Sequence, residues 1–298
     1  MTKLRIGTRG SRLALCQARL VETELHAVFP SLVTEIKEIK TSGDINPQED
    51  ISKIGGKGIF VKEIEQCLLS GEVDIAVHSM KDMPSVLPDG LVMRSVLRRE
   101  DPRDVFISRD GRPLEQLAEE GRVGTGSLRR KTQLLSLFPR LEIFPIRGNV
   151  DTRLRKILSE KLDGIVLAAA GLNRLGRYER ITQHFPEEQI VPAPCQGIIA
   201  VEKRENDIET EKLISAVTHP QTEVAATFER SFLETFGGDC NIPLGCYADV
   251  RSEEISAHAV FIDTHREKIF VNTWKCNREK AFAEGSLMAK DLMRRAGI

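Results

Sequence analysis

Along most of the chain, hydrophobic positions switch between a period of two and a period of three to four, the signature of alternating strands and helices. Leu4 and Ile6 alternate with polar neighbours, which predicts a first strand running into Gly7-Thr8-Arg9-Gly10-Ser11. Ala14, Ala18, Val21, Leu25 and Val28 follow at helical spacing, with Ser11 as the expected N-cap and Arg9 in the strand-to-helix loop. Residues 34–40 predict a second strand. Phe60, Ile64, Cys67 and Leu68 mark one face of a helix that ends at Gly71. Val73, Ile75 and Val77 then alternate in a short buried strand, which runs into His78-Ser79-Met80-Lys81-Asp82-Met83-Pro84. Further strand and helix signals occupy residues 91–96, 105–108, 114–120, 123–125, 128–138, 141–146, 150–158 and 165–169, and predict a mostly parallel sheet with helices on both faces.

Two connections break this rhythm. The charged Leu97-Arg98-Arg99-Glu100-Asp101-Pro102-Arg103 and the proline-bearing Val191-Pro192-Ala193-Pro194 read as crossings between domains. Two crossings allow the chain to leave a first domain and return to it at residues 198–202. After His219-Pro220 the pattern changes to a helix at 222–236, strands at 246–251, 255–262 and 268–274, and a last helix at 278–295, which predicts a small α+β domain.

Composition narrows the class. A net charge of −1 gives no global pull toward nucleic acid or an anionic membrane, so any basic site must be local. No apolar run reaches the roughly 18 residues of a membrane span, and Met1-Thr2-Lys3-Leu4-Arg5 shows no signal-peptide core, so cytoplasmic residence is expected. The six cysteines form no C-x-x-C pair, which argues against a zinc site and a disulfide framework.

The candidate chemistry lies where strands end. Beyond residues 73–77 an imidazole, a hydroxyl, an ammonium and a carboxylate crowd into five positions, and in open α/β sheets ligands bind just past such strand ends. A polar turn is the plain alternative. A basic stretch, 122–156, carries Arg129 and Arg130 in Gly124-Thr125-Gly126-Ser127-Leu128-Arg129-Arg130, then Arg147 and Arg153 in Arg147-Gly148-Asn149-Val150-Asp151-Thr152-Arg153. Both segments read as a strand end, a glycine turn and a helix start, where the helix dipole disfavours cations, so a ligand with several carboxylates or phosphates is the simplest offset. Nucleic acid is disfavoured, because aromatic residues make up only 5% of the chain and none interleave with the arginines. The glycine-rich connection holding Lys53 and Lys57 lacks the full phosphate-loop pattern, since Gly58 follows Lys57, and reads as a mobile lid. Among the thiols Cys240 stands on a Gly237-Gly238-Asp239-Cys240 turn before Pro243, exposed as a nucleophile must be, with no histidine close in sequence to serve as its base.

Taken together these segments resemble the porphobilinogen deaminase (hydroxymethylbilane synthase) family nearly end to end. The resemblance rests on Gly7–Ser11, Gly55-Gly56-Lys57-Gly58-Ile59-Phe60, Ala76–Pro84, Arg99–Asp104, Gly124–Arg130, Arg147–Arg153, Ala169-Ala170-Gly171-Leu172-Asn173-Arg174-Leu175-Gly176 and the Cys240 turn, in that order. It implies two lobes of the type II periplasmic-binding-protein-like α/β fold with a central active cleft, plus a small α+β C-terminal domain. The boundaries expected on that basis are 1–97 with 198–215, 103–191, and 220–298. It also implies stepwise head-to-tail condensation of four porphobilinogen units, with loss of ammonia, onto a dipyrromethane cofactor carried on Cys240, followed by hydrolytic release of the linear product. Asp82 would be the catalytic carboxylate. Arg9, Ser11, Lys53, Lys57, Ser79, Lys81, Ser127, Arg129, Arg130, Arg147, Arg153, Arg174 and Gln196 would bind cofactor and substrate carboxylates. The implied enzyme is a cytoplasmic monomer acting on a small molecule without metal, nucleic acid or membrane. A non-catalytic binding protein of the same two-lobed fold, capturing a carboxylated metabolite, is the competing expectation. Two positions depart from the family pattern: Asp239 directly precedes the attachment cysteine, and Cys195 stands where glycine is usual.

Overall fold

The computed structural model describes residues 3–41, 61–117, 120–237 and 243–298. The first lobe is built on a five-stranded sheet of β1 (Lys3–Arg9), β2 (Val33–Ile39), β3 (Ile75–Ser79), β4 (Leu91–Val96) and β10 (Ile199–Arg204), in the order β2-β1-β3-β10-β4. The second uses β5 (Asp104–Ser108), β6 (Arg122–Gly124), β7 (Glu142–Phe144), β8 (Gly164–Ala168) and β9 (Gln183–His184), in the order β7-β6-β8-β5-β9. The two orders are the same pattern used twice: a central strand has a parallel neighbour on one side and an antiparallel one on the other.

In each sheet four strands run one way and a single strand is reversed. β1 pairs parallel with β2 and β3, but β10 runs antiparallel to both β3 and β4. In the second lobe β6 pairs parallel with β7 and β8, while β5 is antiparallel to β8 and β9. The reversed strands, β5 and β10, are the ones that follow a crossing and enter from the opposite end. Among the described residues of the segment expected as a helix at 114–120, Leu114–Gln116 forms a 3₁₀ turn, and Arg9 ends β1 rather than standing in a loop.

Strand alternation sorts the cores. Leu4, Ile6, Ile75, Val77, Ile199 and Val201 pack with Ala18, Val21 and Leu25 of α1 (Arg12–Val28) and with Leu213 and Ile214 of α6 (Ile208–Ala216). On the opposite face Ala76 meets Ile64 and Leu68 of α2 (Lys62–Leu69). In the second lobe Val105, Ile107, Ile165 and Leu167 pack with Ile157 of α4 (Val150–Ser159), while Phe106 and Val166 face Leu134 of α3 (Leu128–Leu137). Odd and even residues of one strand feed different cores, as a period of two requires. A third unit stacks α7 (Pro220–Thr235) and α8 (Ala281–Ala296) on an antiparallel sheet of β11 (Leu244–Arg251), β12 (Glu254–Asp263) and β13 (Lys268–Asn277), with Phe228, Phe232, Ala257, Ala259, Met288 and Leu292 in its core.

The crossings run side by side and are locked to each other. Glu100 N–H donates to the Gly197 carbonyl at 3.1 Å, and Arg99 Nε donates to the Gln196 carbonyl at 2.9 Å. The approach is so close that a Cβ on Gly197, whose φ is +90°, would lie 2.3 Å from the Glu100 oxygen. Glu229 of α7, fully buried, ties both crossings to the third unit. It accepts from Arg99 Nη1 at 2.6 Å, from the backbone N–H of Cys195, and from Ala248 N–H on β11 at 2.8 Å. For a buried carboxylate with this many donors, losing any one of them costs far more than at the surface.

Candidate active site

The Asp82 turn follows from packing. Ser79 closes β3 against Ile199, Met80 N–H donates to the Ile198 carbonyl at 3.0 Å, and Met83 N–H donates back to the Met80 carbonyl at 3.1 Å. The resulting 3₁₀ turn, Met80–Asp82, buries Met80 and Met83 almost completely. Those two apolar anchors leave Lys81 half-buried and Asp82 exposed. Next to Glu229, Arg230 grips the following chain, its two terminal nitrogens donating to the carbonyls of Pro84 and Ser85 at 2.8 and 2.7 Å. Ser79 Oγ is held from α1, accepting from Gln17 Nε2 at 2.8 Å. The polar cluster beyond β3 is thus braced from three sides, and its charged tip points out of the core.

Beneath the turn lies a second polar group. His78 Nε2 is 3.2 Å from a carboxylate oxygen of Glu202 on β10, and both side chains are buried. Glu65 of α2 approaches the same carboxylate. Burial first, and then the Glu202 charge, push its carboxyl up to about 7, with Lys62 pulling the other way.

Across the seam the second lobe presents its arginines, and the structure treats them unequally. Asp104, fully buried at the start of β5, accepts from Arg129 Nη1 at 2.8 Å and from Arg130 Nε and Nη2 at 3.0 and 2.8 Å. Two guanidinium groups on one carboxylate hold it well below the usual range despite its burial. Arg129 also donates to the Val191 carbonyl at 2.6 Å and is 5% exposed. The offset expected from a ligand is, for Arg129, supplied within the chain by Asp104. Gln196 extends the network. Its Nε2 donates to Asp104 at 2.9 Å and to the Pro102 carbonyl at 2.6 Å, while its Oε1 accepts from Lys81 Nζ at 3.3 Å. A continuous polar chain, Lys81–Gln196–Asp104–Arg130, therefore joins the two lobes through the second crossing.

Burial lowers Lys81 to about 8, Asp82 partly restores it, and the Arg130 charge lowers it further. Arg153 of α4 feels the same groups. Burial and Arg130 lower its pKa and Asp82 raises it, while its Nε donates to the Gly148 carbonyl at 2.7 Å. Lys81, Asp82, Arg130 and Arg153 thus share one electrostatic neighbourhood. Arg174, at the end of α5 (Ala169–Arg174), donates to the Gly197 carbonyl at 2.7 Å, and burial lowers it to about 10 against the pull of Glu100.

The remaining expected residues have local duties. Ser11 and Ser127 cap α1 and α3, accepting from Ala14 N–H at 3.3 Å and Arg130 N–H at 3.4 Å, and each hydroxyl can still donate. Arg9 ends β1 half-buried, and Arg147 lies exposed ahead of α4. Lys53, Lys57, Asp239 and Cys240 lie outside the described residues. Cys195 is 1% exposed with φ +61°, and burial pushes its thiol far up, so it is an inert core residue. Asp104, Gln17, Glu229 and Arg230 were not singled out from sequence. Asp104 stands in a quoted motif, but its partners lie 25 and 26 residues onward. Glu229 and Arg230 sit on a helix whose apolar spacing gave no hint of them.

A donor set of guanidinium and ammonium groups withdrawn from water suits a ligand rich in carboxylates. Comparison with known proteins gives the same direction. The family model for the porphobilinogen deaminase dipyrromethane cofactor binding domain matches residues 4–212, and that for the porphobilinogen deaminase C-terminal domain matches residues 224–294. A porphobilinogen deaminase of Syntrophus aciditrophicus is 48% identical, with 85% of this chain and 83% of that protein covered. One from Syntrophomonas wolfei is 43% identical over 100% of this chain and 97% of its own length. One from Clostridioides difficile is 45% identical over 90% and 89%. With nearly the whole chain matched in order by the two domain models, and the cation-lined seam where the larger of them lies, the chain belongs to the porphobilinogen deaminase family.

Proposed function

We propose that the protein is a hydroxymethylbilane synthase. It joins four porphobilinogen units head to tail with loss of ammonia and releases the linear tetrapyrrole by hydrolysis. The observation that carries this reading is the Asp82 turn: one exposed carboxylate, fixed by buried methionines, at a seam otherwise lined with cations. The partition into 1–97 with 198–215, 103–191, and 220–298 is supported by the three sheets and by the hydrogen bonding of β10 into the first of them. A cytoplasmic, monomeric enzyme is part of the same proposal; among the described residues no helix is long and apolar enough to cross a membrane.

The donor set fits a dipyrromethane bearing acetate and propionate groups, held on Cys240, which supplies the pyrrole carbon that is extended. Lys81, Arg153 and Arg174 would take its carboxylates, with Arg9, Ser11, Lys53, Lys57, Ser79, Ser127 and Arg147 completing the set. Arg129, Arg130 and Gln196 act mainly by holding the seam together around Asp104, with Arg130 facing the ligand side. Asp82 stabilises positive charge that develops on the substrate as ammonia departs, and its oxygens accept and return pyrrole protons. Lys81 and Arg153 are the cations whose charges it faces in that neighbourhood. Removing one such cation should weaken carboxylate binding by about 1.5–3 kcal/mol.

Intact-protein mass of freshly purified material tests the proposal. The expected result is an adduct of two linked pyrroles, absent from Cys240→Ser, together with porphobilinogen consumption by the parent. A bare chain that consumes no porphobilinogen would point to a binding protein and overturn it.

A further inference from the structure

A second cation-lined cavity lies beside the seam. It has a volume of about 580 Å³ and is bordered by Arg12 of α1, Asp151 and Arg155 of α4, and Arg177, Glu179 and Arg180 around the short turn after α5. It is distinct from the Asp82 neighbourhood. At 100° per residue, Asp151 and Arg155 stand on one face of α4 and Arg153 on nearly the opposite face. The cavity therefore uses the outer side of the helix whose inner side presents Arg153 toward Asp82. It also spans the lobes, because Arg12 belongs to the first and the other residues to the second.

Four guanidinium groups and two carboxylates line it, and one of the carboxylates, Asp151, is shared by two of the arginines. Asp151 takes Arg12 Nη1 at 2.8 Å and lies 3.8 Å from Arg177 Nη2. Arg155 donates to a neutral hydroxyl, Thr152 Oγ1, at 3.2 Å. Such pairs at the surface contribute about 0–1 kcal/mol, so the fold gains little from gathering these side chains. An incoming multivalent carboxylate would exchange for Asp151 on Arg12 and Arg177 and gain Arg155 and Arg180 as well.

We propose that this cavity receives the carboxylates of the pyrrole chain once it has grown beyond the primer, and that their arrival displaces Asp151 from Arg12. The inference rests on the function proposed above. Every added unit brings an acetate and a propionate, whereas Arg129 and Arg130 already donate to Asp104 and to the carbonyls of Val191 and Val166. The cleft is therefore short of cations as the chain lengthens, and the cavity supplies them one helix-width away. Because Asp151–Arg12 is a contact between lobes, exchange at this point couples chain length to the looseness of the seam.

Two variants with opposite expected effects test it in the full-length holoprotein. The probe is benzene-1,2,4,5-tetracarboxylate, followed by calorimetry at low salt. Arg155→Ala with Arg180→Ala should weaken binding about tenfold, and Asp151→Asn, which removes the competing carboxylate, should tighten it several-fold. On mixing with porphobilinogen, intact mass should show the double-alanine protein accumulating shorter enzyme-bound chains than the parent, with the two-pyrrole adduct itself unchanged. Parental affinity in both variants, or weaker binding in Asp151→Asn, would overturn the site. Altered affinity with a parental distribution of chain lengths would overturn its assignment to the growing chain. If the parent carried no pyrrole adduct at all, the proposed function would fail, while calorimetry would still decide whether the cavity is an anion site.

Discussion

The helix starts of α3 and α4 look alike in sequence, and the fold uses them for different ends. Each follows a strand and a glycine turn, each has a capping side chain, and each bears arginines in its first turns. At α3 the arginines turn inward onto Asp104 and help to hold a crossing in place. At α4 Arg153 hydrogen-bonds, among the described residues, only a carbonyl of its own loop, Gly148, and lies within the electrostatic reach of Asp82. The lesson is that a cation at a helix N-terminus signals a missing anion without saying whose anion it is. A single buried acid elsewhere in the chain converts a ligand site into a structural one.

Asp104→Asn breaks the comparison most forcefully. It leaves two buried guanidinium groups with no counter-charge, and should cost about 3–5 kcal/mol in urea unfolding. Arg153→Ala is the sharpening counterpart. It should leave unfolding within about 1 kcal/mol of the parent, yet raise KM or lower turnover by roughly ten- to a hundredfold, the worth of one charge-assisted contact. Equal stability losses in the two variants would dissolve the distinction.

The titrating groups give smaller effects. Glu65 has a folded pKa near 7 against an ordinary 4.5, so the folded state binds the extra proton between those values, and stability falls as pH rises through that window. The difference between the parent and Glu65→Gln should change by on the order of 2 kcal/mol between pH 4.5 and 7.5. A flat difference would remove Glu65 from the buried cluster. Lys81, lowered to about 8, should lose its charge as pH rises from 7 to 9, and KM for porphobilinogen should rise with it. Lys81→Arg, charged throughout, should show a flatter profile.

The legible parts of the site were those written in consecutive residues. Ser79, Lys81 and Asp82 share one turn, and the buried Met80 and Met83 that aim them are neighbours in sequence. Ser11 was recognisable as a cap because its helix begins directly after it. The supports were hidden because their partners are distant. Nothing local couples Asp104 to Arg130, Glu229 to both crossings, or Arg230 to the Pro84 carbonyl. The single reversed strand of each sheet was hidden for the same reason: periodicity marks β5 and β10 as strands, but their direction depends on the lobe from which the chain arrives.

Asp82→Asn tests the central claim most directly. The side chain is exposed and its turn is fixed by Met80 and Met83, so the variant should fold and carry the two-pyrrole adduct on Cys240. Porphobilinogen consumption, measured on protein shown by mass to be loaded, should fall by roughly a hundredfold or more, since an amide can neither balance the developing charge nor take a proton. Consumption within a few-fold of the parent, on equally loaded protein, would contradict the assignment of Asp82 as the catalytic group.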